Sequence, residues 1–186
     1  MDLSIYIAES TQPIAGLLER ADALLAQEDS LTAEQAEGMA KELEEARKGF
    51  AKRRDGAKKL ELEDFDAWSQ TLHPDSSNNG PLKLENTSDP EEAARTQQVA
   101  NTFRGAWLSY GVDFGEEAPD SLSIRYSGSG SCYPDSAVEL RLGGPEGELV
   151  LSVPTPPTGS WSNYTTATVE LTEEAKAKLV GEKVLY

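Results

Sequence analysis

The sequence predicts a mainly β protein, an antiparallel sandwich or barrel, preceded by a hairpin of two helices. Segments with apolar residues at every second position recur from about residue 60 onward, separated by turn-forming runs such as SGSGS, GGPEG and PTPPTGS. The first part of the chain repeats apolar residues at helical spacing instead. We therefore expect a helical hairpin over residues 1–58 and a β-domain over residues 59–186, divided just after Asp55-Gly56.

The first helix is predicted over residues 12–28. Thr11 is a plausible N-cap, and Pro13 lies in the first turn, where its missing N–H costs little. One face of this helix carries apolar side chains at helical intervals, namely Ile14, Leu17, Leu18, Ala21, Leu24 and Leu25. The pattern indicates an amphipathic helix with a single buried face.

The second helix begins after the EDSL break with a capping box, Thr32-Ala-Glu-Gln35. The basic residues at its C-terminal end suit the helix dipole better than they suggest a nucleic-acid patch. Its inner face is predicted to contain Ala36, Met39, Ala40, Leu43, Ala46 and Phe50. The short connection makes the two helices antiparallel, and such a pair must dock on something because two helices bury little surface alone.

The β-domain shows several segments of alternating apolar and polar residues. They are Leu60–Glu63, Trp107–Phe114, Leu122–Tyr126, Val138–Leu142, Leu149–Val153, Thr165–Leu171 and, more weakly, Val180–Tyr186, with a long polar loop predicted over residues 75–86. Short strands at even spacing with Gly- and Pro-rich turns are typical of antiparallel sandwiches and barrels.

Composition excludes several classes of function. The net charge of −16 argues against nucleic acid and anionic membranes as partners, and no apolar run is long enough to span a bilayer. The single cysteine, Cys132, has no basic neighbour that would activate it. The one histidine, His73, lies in a polar loop, and no catalytic triad, phosphate-binding loop or Cys/His metal cluster is present. We therefore predict a protein that is not an enzyme.

Three segments together resemble the family 6 carbohydrate-binding modules. Leu60-Glu-Leu-Glu-Asp-Phe-Asp66 is similar to the family's opening strand, Gly105-Ala-Trp-Leu-Ser-Tyr110 to its Gly-x-Trp-x-x-Tyr strand, and Thr158-Gly-Ser-Trp161 to its Thr-Gly-x-Trp loop. The similarity covers roughly residues 59–186 and does not include the helical hairpin. The hairpin resembles the short helical spacers between modules of large glycosidases. The resemblance implies a jelly-roll-like β-sandwich with a structural calcium ion and a sugar site on loops at one end.

Glu61 and Glu63 are the predicted calcium ligands. Two apart in a strand, they would point to the same side and offer hard oxygen ligands, although the spacing alone favours a solvated acidic face. The resemblance implies that they are the family's first-strand ligands. The family's last strand, with a further acidic ligand, should follow Tyr186. Either the chain is truncated there or another segment supplies the strand, and the alternation of Leu3, Ile5 and Ile7 offers one candidate.

Trp161 is the predicted sugar platform, because an aromatic ring in a loop can stack on the flat C–H face of a pyranose. A Trp that closes the end of the sandwich is the structural alternative. The family sets a second aromatic residue opposite, shortly before its Gly-x-Trp strand. In that stretch Phe103 is the stand-in, with Asn101 and Arg104 as polar contacts, whereas Trp107 and Tyr110 belong to the framework.

The predicted function is a non-catalytic module that holds a covalently linked glycoside hydrolase near a neutral oligo- or polysaccharide, outside the cell or at its surface. The N-terminus does not look like a signal peptide, so we expect any signal to lie upstream. One alternative is a structural module that has lost its sugar cleft. Another is a protein-interaction module that uses the hairpin, which exposed Met39 and Phe50 would support.

Overall fold

The computed structural model describes residues 2–27, 30–72, 80–92 and 96–186. His73 lies outside the described residues. The elements follow the chain in the order α1 (Ala8–Leu25), α2 (Ala33–Lys48), β1 (Arg54–Asp55), β2 (Ala67–Trp68), β3 (Lys83–Asn86), β4 (Gln97–Ala100), β5 (Leu108–Asp113), β6 (Ser121–Gly128), β7 (Ala137–Leu142), β8 (Glu148–Pro154), β9 (Ser160–Glu170), α3 (Glu173–Lys178) and β10 (Glu182–Leu185). The mainly β fold with a two-helix hairpin at its N-terminus is confirmed.

The two N-terminal helices form the predicted hairpin. The capping box is present, since Thr32 Oγ1 accepts from the Gln35 amide at 3.2 Å and Gln35 Oε1 accepts from the Thr32 amide at 2.9 Å. Helix α1 begins earlier than predicted, with Ile7 rather than Thr11 as N-cap. A distant side chain caps it, because the Ala8 amide donates to Glu182 Oε2 of β10 at 2.9 Å. A tertiary contact therefore decides where this helix starts.

The larger layer of the sandwich is a six-stranded sheet. Its strands lie in the order β1-β5-β10-β7-β8, and β2 pairs with the N-terminal half of β5. β10 is antiparallel to β5, with Val184 opposite Gly111, whereas β1 runs parallel to β5. The strands predicted within residues 107–114, 138–142 and 149–153 are confirmed as β5, β7 and β8.

The second layer consists of two antiparallel strand pairs, β3–β4 and β6–β9. The core lies between the sheet, α3 and the β6–β9 pair. Its buried members are Tyr110, Val112, Leu151, Val153, Leu171, Ala175, Leu179 and Leu185, with Leu122, Ile124, Ala167 and Val169 packed against them. Most apolar positions of the alternating segments thus point inward, as their period of two requires, whereas Val138 and Leu149 are exposed.

The sequence did not predict β3, β4 or α3. β3 (Lys83–Asn86) lies within the segment expected to be a polar loop, because its residues lack a clear alternation and Leu84 is exposed. α3 is short and begins at the N-cap Thr172, whose hydroxyl accepts from the Ala175 amide at 3.2 Å. None of the described helices is long and apolar enough to cross a membrane.

The segment Leu60–Glu63 is not a strand, and this prediction was wrong. The chain turns here, and the Asp64 amide donates to the Glu61 carbonyl at 3.0 Å. The edge of β5 that an opening strand would use is already occupied by β1 and β2. The intervening residues therefore pass from one short strand to the next without pairing.

The N-terminal segment is attached to the sandwich through residues 51–55. Ile7 is fully buried, and its amide donates to the Ala51 carbonyl at 2.8 Å. Tyr6 forms an isolated antiparallel bridge with Lys52, but Ile5 is exposed, so Leu3, Ile5 and Ile7 do not form a strand of the sheet. It is β1, just beyond the helices, that joins β5. The predicted boundary between residues 58 and 59 stays a prediction.

Candidate functional site

Two loops meet at one end of the sandwich, the 129–136 loop between β6 and β7 and the 155–159 loop between β8 and β9. The Thr158 amide donates to the Gly128 carbonyl at 3.0 Å, and the Gly128 amide donates to Thr158 Oγ1 at 2.9 Å. At the other end of the 129–136 loop, the Thr155 amide donates to the Ser136 carbonyl at 2.8 Å. The two loops are therefore joined at both ends.

The two loops approach each other at glycine positions. A Cβ atom on Gly130 would lie 3.9 Å from the Gly159 Cα, and one on Gly128 would lie 3.7 Å from both Cys132 Sγ and the Pro157 Cα, which are ordinary van der Waals contacts. Gly159 has a φ of 89°, a conformation that favours glycine. The turn that leads into β9 therefore depends on glycine at Gly159 through its backbone conformation.

Trp161 is exposed at this end of the molecule. Its exposed fraction is 61%, and it lies at the start of β9, two residues beyond Gly159. Its carbonyl accepts from Ser127 Oγ at 2.8 Å, and Asn163 Nδ2 donates to the Thr158 carbonyl at 2.6 Å. The backbone is held from both sides while the ring remains in solvent. This arrangement does not fit a Trp that closes the sandwich.

The other predicted sugar contacts lie between β4 and β5. Asn101 has a φ of 58°, and its Nδ2 donates to the carbonyls of Gly80 and Pro81 at 2.8 and 2.9 Å. Phe103 is half-buried, its carbonyl accepting from the Ala106 amide at 3.0 Å, and Arg104 is exposed. The Asn101 amide group therefore fixes local backbone. The sugar-binding roles of Trp161, Phe103, Asn101 and Arg104 stay predictions.

Glu61 and Glu63 lie in the turn before β2. Lys59 Nζ lies 3.2 Å from Glu61 Oε1 and 2.7 Å from Glu92 Oε1. Within the described ranges, no three or more Asp, Glu, His or Cys side chains are grouped so that they could hold a metal ion. Because Glu61 and Glu63 lie in a turn and not in a strand, their spacing no longer places both side chains on the same side. The described carboxylates thus do not form a cluster that could hold calcium by themselves, and calcium binding by Glu61 and Glu63 stays a prediction.

Beside this turn, Arg54 binds two carboxylates. Its guanidinium donates to both oxygens of Asp66, at 2.7 and 3.0 Å, and to Asp64 Oδ2 at 3.3 Å. The side chains of Arg54 and Asp66 are only 11% and 4% exposed. Asp66 Oδ2 also accepts from the Gly111 amide at 2.8 Å. A fixed internal cation thus joins β1, the segment before β2, and β5.

Tyr110 and Trp107 belong to the framework, in agreement with the prediction. Tyr110 is buried, and its hydroxyl donates to the Leu62 carbonyl at 2.6 Å. Burial raises the pKa of this phenol well above its usual range, despite the nearby Arg54 guanidinium. The Trp107 ring packs against Tyr186 with centroids 5.8 Å apart. Neither side chain is presented to a ligand.

A second ion pair connects Asp89, just after β3, with β6. Arg125 of β6 makes a bidentate contact with Asp89, the second bond being 2.8 Å from Nη2 to Oδ1. The Asp89 side chain is 2% exposed, and its hydrogen bond with Arg125 lowers its pKa. The Arg125 guanidinium lies over the Tyr164 ring, 5.9 Å from its centroid. These contacts hold the β3–β4 hairpin against β9.

Sequence reasoning missed two features of these regions. Tyr133, on the 129–136 loop, is 80% exposed, more than any other large hydrophobic or aromatic side chain among the described residues. Its position in a turn-rich run was the only available signal. Arg54 was interpreted as one of several basic residues suited to a helix terminus, although it lies in β1 and pairs with acidic residues further along the chain.

Comparison with known proteins assigns the family. The model of the carbohydrate binding module, family 6, matches residues 75–183. No curated protein matches the chain at a significant level. The matched segment covers more than half of the chain and includes β5 to β9 with both loops described above.

Solved structures agree with this fold. A family 6 module from Clostridium stercorarium in complex with cellobiose has a TM-score of 0.54 and 20% identity, over 72% of this chain and 84% of that one. A β-1,3-glucan-binding module from Bacillus halodurans has a TM-score of 0.54 and 22% identity, over 71% and 83%. A family 43 arabinoxylan arabinofuranohydrolase from Bacillus subtilis, in complex with cellotetraose, has a TM-score of 0.57 and 18% identity, over 73% of this chain and 24% of that one. The chain belongs to family 6 of the carbohydrate-binding modules, a non-catalytic family.

Proposed function

We propose that the module binds a neutral oligo- or polysaccharide through Trp161 at the loop end of the sandwich. The observation that carries the proposal is the exposed indole on a backbone held by Ser127. An exposed indole leaves a large apolar area in contact with water. A pyranose face stacked on the ring would remove that area from water. Because the backbone is held before binding, little ordering entropy is lost.

A neutral glycan suits the charge of the molecule. The net charge of −16 gives a negative field over the surface, which would repel uronic-acid or sulfated polysaccharides. A neutral sugar carries no charge, so stacking on it and hydrogen bonding to it avoid this repulsion. The sugars bound by two similar modules, cellobiose and β-1,3-glucan, are neutral and serve as first probes.

We further propose that the module belongs to a longer secreted or surface protein that carries a glycoside hydrolase. The Bacillus subtilis arabinofuranohydrolase supports this, because the similar region makes up 24% of its chain. Binding by the module would raise the local substrate concentration at the linked catalytic domain, as tethering does in general.

A structural module that has lost its cleft is the second candidate, and Asn101 favours it. The residue lies in the stretch where the family resemblance implies a second aromatic, yet its side-chain amide holds the Gly80 and Pro81 carbonyls. The protein-interaction alternative loses its supporting feature, since Met39 and Phe50 are buried at 8% and 7% exposure.

Isothermal titration with cellobiose, cellotetraose and soluble β-1,3-glucan tests the proposal. We expect Trp161→Ala to weaken binding by about thirtyfold, as removal of a central aromatic contact typically does. Leu149→Ala is the matched control, because Leu149 is 44% exposed on β8 at the opposite end of the sandwich. A folded wild-type protein that binds none of these glycans would favour the structural module.

A further inference from the structure

Only two of the thirteen aromatic side chains (four Phe, six Tyr and three Trp) are exposed. They are Tyr133, at 80%, and Trp161, at 61%. Every other described aromatic residue is buried or half-buried. Large rings are usually at least partly covered in a folded protein. Two exposed rings, one on the 129–136 loop and one at the start of β9 beside the 155–159 loop, therefore call for a ligand rather than a packing explanation.

The loop contacts place these two rings at the same end of the sandwich. Ser129 and Gly159 form a bridge between the loops. The Cys132 amide donates to the Ser129 carbonyl at 3.0 Å, so a turn returns the chain toward Ser129, with its ends less than about 7 Å apart. Trp161 lies two residues from Gly159, at most about 7 Å along an extended chain.

Hydrogen bonds within the 129–136 loop fix the backbone at Tyr133. The Ser136 amide donates to the Tyr133 carbonyl at 3.2 Å, and Ser136 Oγ donates to the same carbonyl at 2.7 Å. Pro134 follows directly and restricts φ. The Tyr133 carbonyl is thus held by two hydrogen bonds, while the side chain is 80% exposed. This is the arrangement described above for Trp161.

We propose that Tyr133 and Trp161 form a two-ring platform that binds one extended neutral oligosaccharide. The inference rests on the proposed function and adds a second binding residue on a different loop from the one where sequence reasoning placed Phe103. Each ring would stack on a separate pyranose, and the Tyr133 hydroxyl could donate to a ring or hydroxyl oxygen of the sugar. Two fixed platforms favour a chain of several sugars over a short one, because both contacts are made without further ordering.

The experiment measures affinity for cellobiose, cellotetraose and soluble β-1,3-glucan in wild type, Tyr133→Ala, Tyr133→Phe and Leu149→Ala. We expect Tyr133→Ala to lose about tenfold in affinity for the longer glycans and less for cellobiose. Tyr133→Phe keeps the ring and should retain most of the affinity, and Leu149→Ala should match wild type. Because the Tyr133 side chain is 80% exposed, the melting temperature of the two Tyr133 variants should stay unchanged.

The outcomes separate the two proposals. If Trp161→Ala weakens binding and Tyr133→Ala does not, the two-ring platform is wrong and the sugar site at Trp161 stands. An equal loss for cellobiose and cellotetraose would also overturn the platform, since a ring that binds a second sugar unit must discriminate by length. If the folded wild type binds none of the three glycans, the proposed function and this inference both fall.

Discussion

The loop end of the sandwich, where Tyr133 and Trp161 lie, exposes these side chains, whereas the site around Arg54 buries its own. At the loop end, Tyr133 and Trp161 are exposed and contribute little to the core. At the Arg54 site, an almost buried guanidinium is bound by Asp64 and Asp66 and joins three segments. This difference indicates that glycan binding and stability depend on separate sets of residues. Substitutions at the loop end should change glycan affinity alone, and those at the Arg54 site should change stability alone.

Arg54→Ala should give the largest effect. It leaves the Asp66 carboxylate, 4% exposed, without its cation, and breaking a buried pair from one side costs about 3–5 kcal/mol. Urea unfolding measures the loss. Arg20→Ala is the matched control, because the Arg20–Glu42 pair has side chains 58% and 47% exposed and should contribute less than about 1 kcal/mol.

The same substitution tests whether the Arg54 site and the loop end act separately. Under conditions where Arg54→Ala is fully folded, its affinity for β-1,3-glucan should equal that of wild type. A weakened affinity with intact stability would mean that the Arg54 site contributes to binding and that the two regions are not separate.

Acid should destabilise the protein through Asp89, with an intermediate effect. The Arg125 hydrogen bond lowers the pKa of Asp89 in the folded protein below its ordinary 3.8. The folded state therefore binds fewer protons than the unfolded state, so this contribution to stability is present above pH 3.8 and is lost as the pH falls through the folded-state pKa. Unfolding measured between about pH 6 and pH 2 should show a steeper acid loss in wild type than in Asp89→Asn. Parallel profiles would show that the ion pair contributes nothing to the pH dependence.

Calcium removal should give the smallest effect. Glu61 is already neutralised by Lys59, and Arg54 supplies a positive charge to Asp64 and Asp66. We expect the melting temperature to be the same in EDTA and in millimolar Ca²⁺, with the Glu61→Gln, Glu63→Gln double variant as control. A clear fall in EDTA that is absent from the double variant would establish calcium binding by these glutamates.

Local patterns predicted most of the sheet. β5, β7, β8 and β9 follow from the period of two in their apolar and polar residues, because successive side chains of a strand point to opposite faces. The capping box of α2 is likewise local, because Thr32 and Gln35 satisfy each other's backbone amides. Leu60–Glu63 has the same alternation and still forms a turn. A strand also needs a free partner edge, and pairing with β5 is decided by β1 and β2.

The family, the alternating strands, the two-helix hairpin and the choice of Trp161 as a candidate could all be predicted from local sequence, because each depends on residues close together in the chain. The binding of Asp66 by Arg54, the capping of α1 by Glu182 and the position of Tyr133 at the same end as Trp161 are visible only in the folded structure. These contacts join residues distant in sequence. No local propensity encodes such a pairing, because it forms only when the packed layers bring the segments together.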